Sequence, residues 1–131
     1  MSFQLELKEF INVSLGSADR VKKAASIELF NRVVLDTPVD TGRARANWLV
    51  SLHHGGFTPS NRTDAAKALG DIEVEVNGSD LHDTLTLTNN LPYIEKLENG
   101  SSTQAPKGMM KRNVITMANL IKKQVALRGR L

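Results

Sequence analysis

Residues 37–48 read TPVDTGRARANW, and this stretch predicts where a helix gives way to a strand. A proline ring pushes the residue before it out of the helical region, so a helix ends before Pro38. Asp40 and Thr41 have short polar side chains that hydrogen-bond to nearby backbone, and Gly42 permits the positive φ of a tight turn. We therefore predict a helix, a turn and a strand in that order.

A long helix is predicted upstream of this turn, from the N-cap Ser17 through Asp36. Its apolar residues form two stripes, one with Val21, Ala25, Leu29 and Val33 and the other with Ile27, Phe30 and Val34. One stripe is expected to meet the sheet of the same domain. The other is expected to meet the N-terminal or C-terminal helix, or a neighbouring subunit. Residues 3–14 fit both a strand and a helix, and we favour a short helix that ends at Gly16.

Three strands are predicted downstream of the turn. Apolar alternation predicts a strand over 46–52, with Arg43, Arg45 and Asn47 on its opposite face. Alternation at 72–76 and 85–87, on either side of the turn sequence at 77–80, predicts an antiparallel hairpin over 71–89. Residues 53–70 form a long polar loop between the first strand and this hairpin, in which 64–69 fit one or two helical turns.

The C-terminal part is predicted to be helical. Gly100 caps a short helical turn near Tyr93, and a last helix follows, with a frayed end at 128–131. The apolar stripe of this helix consists of Met110, Val114, Met117, Ala118, Ile121 and Val125. The predicted fold class is α+β in a single domain, 1–131. A small antiparallel sheet of three to four strands packs against a long N-terminal helix and a C-terminal amphipathic helix.

The composition is that of an ordinary globular domain with an uneven distribution of charge. The chain has 131 residues, of which 40% are hydrophobic, and no cysteine, which excludes disulfides and thiol chemistry. The net charge is +3, but residues 1–106 sum to −4 and residues 107–131 to +7. This separation favours contact with copies of the chain or with oppositely charged neighbours. The start of the chain lacks the pattern of a signal peptide and no stretch fits a transmembrane helix, so we expect synthesis in a cytosol and no membrane partner.

No catalytic, cofactor or metal site is predicted. The common nucleophile, zinc, phosphate-loop and dinucleotide motifs are absent from the sequence. His82 with Asp80 and Asp83 is better explained as a solvated hairpin tip than as a metal site. Glu95 and Glu98 are better explained as a surface pair than as general acid and base. An enzyme with a histidine-based site within 53–83 is the least favoured alternative.

Nucleic-acid binding is an alternative that the basic end of the chain raises. The last helix presents lysines and arginines that could follow a phosphate backbone, and Arg43 and Arg45 are predicted to share a strand face. The acidic middle, the single tryptophan and tyrosine, and the absence of a recognition motif argue against it. A solvated helix face or a contact with protein explains the same lysines.

A second motif, LPYIEKLENG at 91–100, fits a strand exit followed by a short helical turn. The turn PVDTGR at 38–43, followed by Ala46-Asn47-Trp48, precedes it. In this order, the two motifs resemble the tail-completion, or neck, proteins of long-tailed bacteriophages, a family similar to the minor tail protein Z of lambda. The resemblance covers about residues 29–114, most of the chain.

The resemblance implies a structural virion protein without catalysis or cofactor. Such a protein forms a ring, hexameric in this family, where the tail tube meets the neck or head connector. It completes the tail and helps to join it to the head, and DNA only passes through the lumen. The expected location is the virion, after synthesis in the host bacterial cytoplasm. A tail-terminator or head-side connector protein is the alternative within this class, and a small basic nucleic-acid-binding protein is the alternative from another class.

Two sets of residues carry these expectations. The motif residues, which we expect first to specify the fold, are Pro38, Asp40, Thr41, Gly42, Arg43, Trp48, Tyr93, Glu98 and Gly100. The residues expected to contact a neighbouring subunit or partner are Arg43, Arg45, Glu73, Glu75, Asp80, Asp83, Lys111, Arg112, Lys122 and Lys123.

Overall fold

The computed structural model describes residues 18–52, 59–105 and 107–128. The predictions for residues 3–14, for the Ser17 cap and for most of the 128–131 end lie outside these ranges. The described elements are α1 (Ala18–Asp36), α2 (Arg43–Ala46), β1 (Leu49–Ser51), α3 (Ala65–Asn77), β2 (Thr86–Thr88), α4 (Ile94–Glu98) and α5 (Met110–Arg128). None of the described helices has the length and apolar character needed to cross a membrane.

The sheet of the described chain is smaller than predicted. β1 and β2 pair antiparallel, with Val50 opposite Leu87. The mixed class of helix and antiparallel strand is confirmed, whereas the prediction of three to four strands is wrong for the described residues, which contain two. The missing strand is the one predicted at 71–77, because those residues form the second half of α3.

α3 replaces both the first strand of the predicted hairpin and the end of the predicted loop. Asp64 caps the helix, since its carboxylate accepts a hydrogen bond of 3.0 Å from the Ala66 N–H. Ala68, Ile72 and Val76 follow at i+4 spacing and are completely buried. Val74, which the alternating pattern would bury with Ile72 and Val76, is 72% exposed on the opposite side of the helix.

The segment after the turn is also helical before it becomes extended. Residues 43–46 form one helical turn, so Arg43 and Arg45 do not share a strand face as predicted. The side chain of Asn47 stabilises this turn, because its Nδ2 donates to the Arg43 carbonyl at 2.8 Å. The predicted strand over 46–52 is therefore correct only for 49–51.

Both apolar stripes of α1 pack within the described chain, most closely in the second half of the helix. Phe30, Val33 and Val34 belong to the central core, which also contains Trp48, Val50, Ile72, Val76, Ala105 and Met109. Ala25 and Leu29, together with Leu120, pack against Met117 of α5. The stripe that contains Ala25 and Leu29 therefore meets the C-terminal helix, which is one of the predicted alternatives. α1 thus contacts the sheet and α3 with one side and α5 with the other.

The predicted stripe of α5 is only partly correct. Met110 and Met117 face the interior, together with the buried Asn113. Asn113 is accommodated because its Nδ2 donates to the Asp36 carboxylate at 2.8 Å and to the Met109 carbonyl at 2.6 Å. Val114, Ala118 and Ile121 are exposed on another side of the helix. The side chain of Val125 is not among those that the structure describes.

Candidate functional site

The first motif is contacted by two residues that flank the second motif, about 50 residues later in the sequence. The Val39 N–H donates to Gln104 Oε1 at 2.9 Å, and Gln104 Nε2 donates back to the Val39 carbonyl at 3.0 Å. Asn89 Nδ2 donates to the Ala44 carbonyl at 2.9 Å. The amide side chains thus pair with the backbone of the turn as a neighbouring strand would.

A cavity of about 520 Å³ lies where the two motifs meet. Residues 38–44 form one wall, and Tyr93, Leu97, Ser102 and Gln104 form the other. Asp40 lines it as an exposed carboxylate that makes no hydrogen bond within the described residues, so the predicted Asx turn is not observed. This cavity is the candidate site, because six of the nine motif residues line it: Pro38, Asp40, Thr41, Gly42, Arg43 and Tyr93.

Gly42 holds the turn in a conformation that other residues rarely adopt. Its φ is +90°, in the left-handed region, and a Cβ at this position would lie 2.6 Å from the Thr63 carbonyl oxygen. The Arg43 N–H donates to Thr41 Oγ1 at 3.2 Å, so the predicted local hydrogen bond of Thr41 is confirmed.

Trp48 and Arg45 form hydrogen bonds with the C-terminal end of α1, which leads into this turn. Trp48 Nε1 donates to Thr37 Oγ1 at 2.8 Å, and Thr37 Oγ1 donates to the Val33 carbonyl at 2.7 Å. Arg45 Nε donates to the Thr37 carbonyl at 2.8 Å and its Nη2 to the Leu35 carbonyl at 2.7 Å. The guanidinium therefore satisfies carbonyls that the helix leaves unpaired at its end.

Glu98 of the second motif caps α5. Its carboxylate accepts hydrogen bonds from the backbone N–H groups of Met109, Met110 and Lys111 at 2.8–3.2 Å. The prediction of Glu98 as half of a surface pair with Glu95 is wrong, because it is committed to this cap. Gly108, at φ +79°, passes so close to Glu98 that a Cβ would collide with its backbone carbonyl and carboxylate.

Gly100 ends α4 as predicted. Its φ is +89°, and it donates to the Leu97 carbonyl at 3.1 Å while Ser101 donates to the Lys96 carbonyl at 3.1 Å. This is the hydrogen-bond pattern of a Schellman motif. Tyr93, at the start of α4, is partly exposed and lines the cavity.

The predicted contact residues divide into those used within the chain and those left on the surface. Arg45 is committed to α1, Arg43 Nε donates to the Ser60 carbonyl at 2.8 Å, and Arg112 pairs with Asp36 at 2.7 Å. Asp83 Oδ2 accepts from the Asp80 N–H at 2.7 Å. Among the described residues, the side chains of Glu73, Glu75, Lys111, Lys122 and Lys123 are exposed without an ion pair.

The turn that holds Asp80 and Asp83 is bound to α1. Lys22 Nζ donates to the Leu81 carbonyl at 2.8 Å and also to the Asp83 carbonyl. Within the described residues, no three histidine, aspartate or glutamate side chains come together as a metal site would require. His53 and His54 lie outside the described ranges.

Three polar side chains that bond to backbone in or near the first motif were harder to identify from the sequence. Asn89 lies two residues before the second motif, and Asn47 lies within the first, and both are polar residues next to strands. Gln104 lies in a loop and has no pattern around it that would predict its partner 65 residues away.

Comparison of the chain with protein-family models, with curated protein sequences and with solved structures yields no match.

Proposed function

We propose that the chain is a structural protein of the tail–neck junction of a long-tailed bacteriophage. It forms a ring that completes the tail and helps to join it to the head connector. Its partners are further copies of itself, tail-tube proteins and neck or connector proteins, and DNA passes through the lumen without sequence reading. On this proposal the chain acts in the virion and catalyses no reaction.

The position of the two motifs around one cavity is the observation that supports this proposal most. The resemblance rests on two short segments whose spacing in the sequence alone carries little meaning. Residues of both motifs line the same cavity, and Gln104, which follows the second motif, bonds to Val39 of the first. Two segments that build one structural unit are a more specific signature than two unrelated turns.

The use of the motif residues also supports a structural role. Gly42, Glu98 and Gly100 serve turns and helix ends, and Trp48 bonds the end of α1. These roles fit a scaffold whose surface makes the functional contacts.

The test is the virion itself. In a bacteriophage that encodes this chain, a stop codon early in its gene is expected to give separate heads and tails under the electron microscope. Expression of the chain from a plasmid should restore joined particles. Normal particles from the mutant, or the absence of the chain from purified virions by mass spectrometry, would contradict the proposal.

The nearest alternative in the same class, a tail-terminator or head-side connector protein, differs in which half carries the chain. Mass spectrometry of the separated heads and tails distinguishes the two, because a head-side protein remains on the heads.

Nucleic-acid binding is the alternative from another class, since Lys111, Lys122 and Lys123 are exposed on α5. A titration with duplex DNA at several salt concentrations tests it. Tight binding with a steep salt dependence would favour this alternative, and weak binding that disappears at moderate salt would favour the structural proposal.

A further inference from the structure

α5 presents a second apolar side that the described chain does not cover. Val114 and Ile115 are 47% and 61% exposed, and Ile121 is also exposed. Together with Ala118, these residues lie within about a third of the circumference of the helix, next to the buried side that carries Met117. Lys111 and Lys122 lie on the same side at its two ends. We call these six residues the basic face, and it extends over about 17 Å of helix.

α3 presents a smaller apolar surface between acidic side chains. Val74 is 72% exposed, which is more than any other large hydrophobic residue in the described ranges. Glu73 and Glu75 stand on either side of it in the sequence and are exposed. A groove of about 250 Å³ separates α3 from β1 and is lined by Leu49, Val50, Asp71, Val74 and Glu75. We call Glu73, Val74, Glu75 and this groove the acidic face.

We propose that the basic face of one copy docks on the acidic face of a second copy. Each face has an apolar centre, and the charges around the two centres are opposite. Such a pair buries apolar surface on both sides and brings lysines to glutamates that have no ion-pair partner within the described chain. Two acidic faces, or two basic faces, would place like charges together, which selects the mixed contact.

The mixed contact is heterologous, because it joins two different surfaces of the same chain. A heterologous contact repeats from copy to copy and gives a ring when the rotation closes. This inference rests on the ring of the proposed function and adds which surfaces build it. A nucleic acid would use only the lysines of the basic face, and would leave Val74 between its two glutamates unexplained.

Engineered cysteines test the contact directly, because the natural chain contains no cysteine. Val74→Cys and Ile115→Cys are made in separate full-length proteins, mixed and oxidised under mild conditions. Docking holds the two thiols together, so we expect about tenfold more disulfide-linked dimer in the mixture than in either variant alone. Glu95→Cys mixed with Lys107→Cys is the matched control, since both residues are exposed and oppositely charged but lie outside the two faces.

Two results would overturn the inference. One is that dimers of a single variant, Val74→Cys with itself or Ile115→Cys with itself, form as readily as the mixed dimer. The other is that the mixture gives no more disulfide than the control pair.

A chain with both substitutions gives a second measurement. It is expected to form a ladder of linked oligomers that ends at the size of the ring, and a failure to progress beyond dimers would also count against the inference. Specific crosslinking of a chain that is absent from the virion would leave self-docking intact and end the tail–neck proposal. If the chain is present in the virion but does not crosslink specifically, self-docking is rejected and the tail–neck proposal stands.

Discussion

At the scale of single residues, Glu98 of the second motif has the most specific role, because its one carboxylate accepts hydrogen bonds from three backbone N–H groups at the start of α5. Glu98→Ala removes this cap, and we expect the free energy of unfolding to fall by about 1–2 kcal/mol. Urea unfolding followed by the fluorescence of Trp48, the only tryptophan, measures it. Glu95→Ala, an exposed change three residues earlier, is the control and should alter stability by less than about 0.5 kcal/mol. Equal losses in the two variants would refute the cap.

Two glycines are expected to respond in opposite ways to the same substitution. Gly108 has a φ of +79° and lies against Glu98, so Gly108→Ala should cost about 2 kcal/mol or more. Gly70 lies within α3 with no atom within 4 Å of a Cβ placed there, so Gly70→Ala should stabilise the fold by about 0.5–1 kcal/mol. Thermal unfolding of both variants beside the natural chain checks the two signs, and a loss of stability in Gly70→Ala would show that α3 is placed wrongly.

At the scale of elements, a boundary set by a local signal could be predicted from the sequence. A segment whose apolar residues fit the period of a helix as well as that of a strand could not. The end of α1 is correct because the restriction of the residue before Pro38 acts within one peptide unit. The helical turns predicted over 64–69 correspond to the first half of α3. The second half is wrongly predicted as a strand, because Ile72 and Val76 satisfy both a period of two, through Val74, and the i+4 spacing of a helix. Asp64 is the signal that decides for the helix, since it stands at an N-cap position. The two motifs were visible in the sequence, but the bond between Val39 and Gln104 was not, because it depends on the tertiary fold.

The helical assignment of α3 gives a prediction with a clear sign. Val74→Ala replaces an exposed β-branched residue with a better helix former, so stability should stay constant or rise by about 0.5 kcal/mol. In a strand the same change would be destabilising. Val76→Ala, on the buried side of the same helix, should instead cost about 2 kcal/mol. Chemical denaturation of both variants provides the comparison, and a destabilising Val74→Ala would favour the hairpin.

The end of α1 allows two arginines to be compared. Arg45 donates to two backbone carbonyls, whereas Arg112 makes an ion pair with Asp36 while its side chain remains 45% exposed. We expect Arg45→Ala to cost about 1–2 kcal/mol and Arg112→Ala less than about 1 kcal/mol. Raising the salt concentration should reduce the smaller effect and leave the larger one nearly unchanged. The opposite order in a denaturation series would contradict the helix-end role of Arg45.

At the scale of the whole molecule, the separation of charge between the middle and the end of the chain gains a specific meaning from the two faces. The pair Glu73→Lys and Glu75→Lys, or the pair Lys111→Glu and Lys122→Glu, should weaken self-association about tenfold or more. All four changes in one chain should restore it, because the charges are then exchanged between the faces. Sedimentation velocity at low salt and at about 0.5 M salt measures the association. A fourfold variant that remains as weak as the double variants would argue against pairing of these residues.

The bond between Gln104 and Val39 also sets an order of events during synthesis. Thr37, Arg45 and Trp48 leave the ribosome close together, so α1 can acquire the partners of its C-terminal end early. Gln104 follows Val39 by 65 residues, which corresponds to about 3–13 s of translation. α5, with its basic face, appears later still. On the proposed docking of the two faces, a nascent chain would expose its acidic face first and could join a second copy through both faces only after α5 has been made.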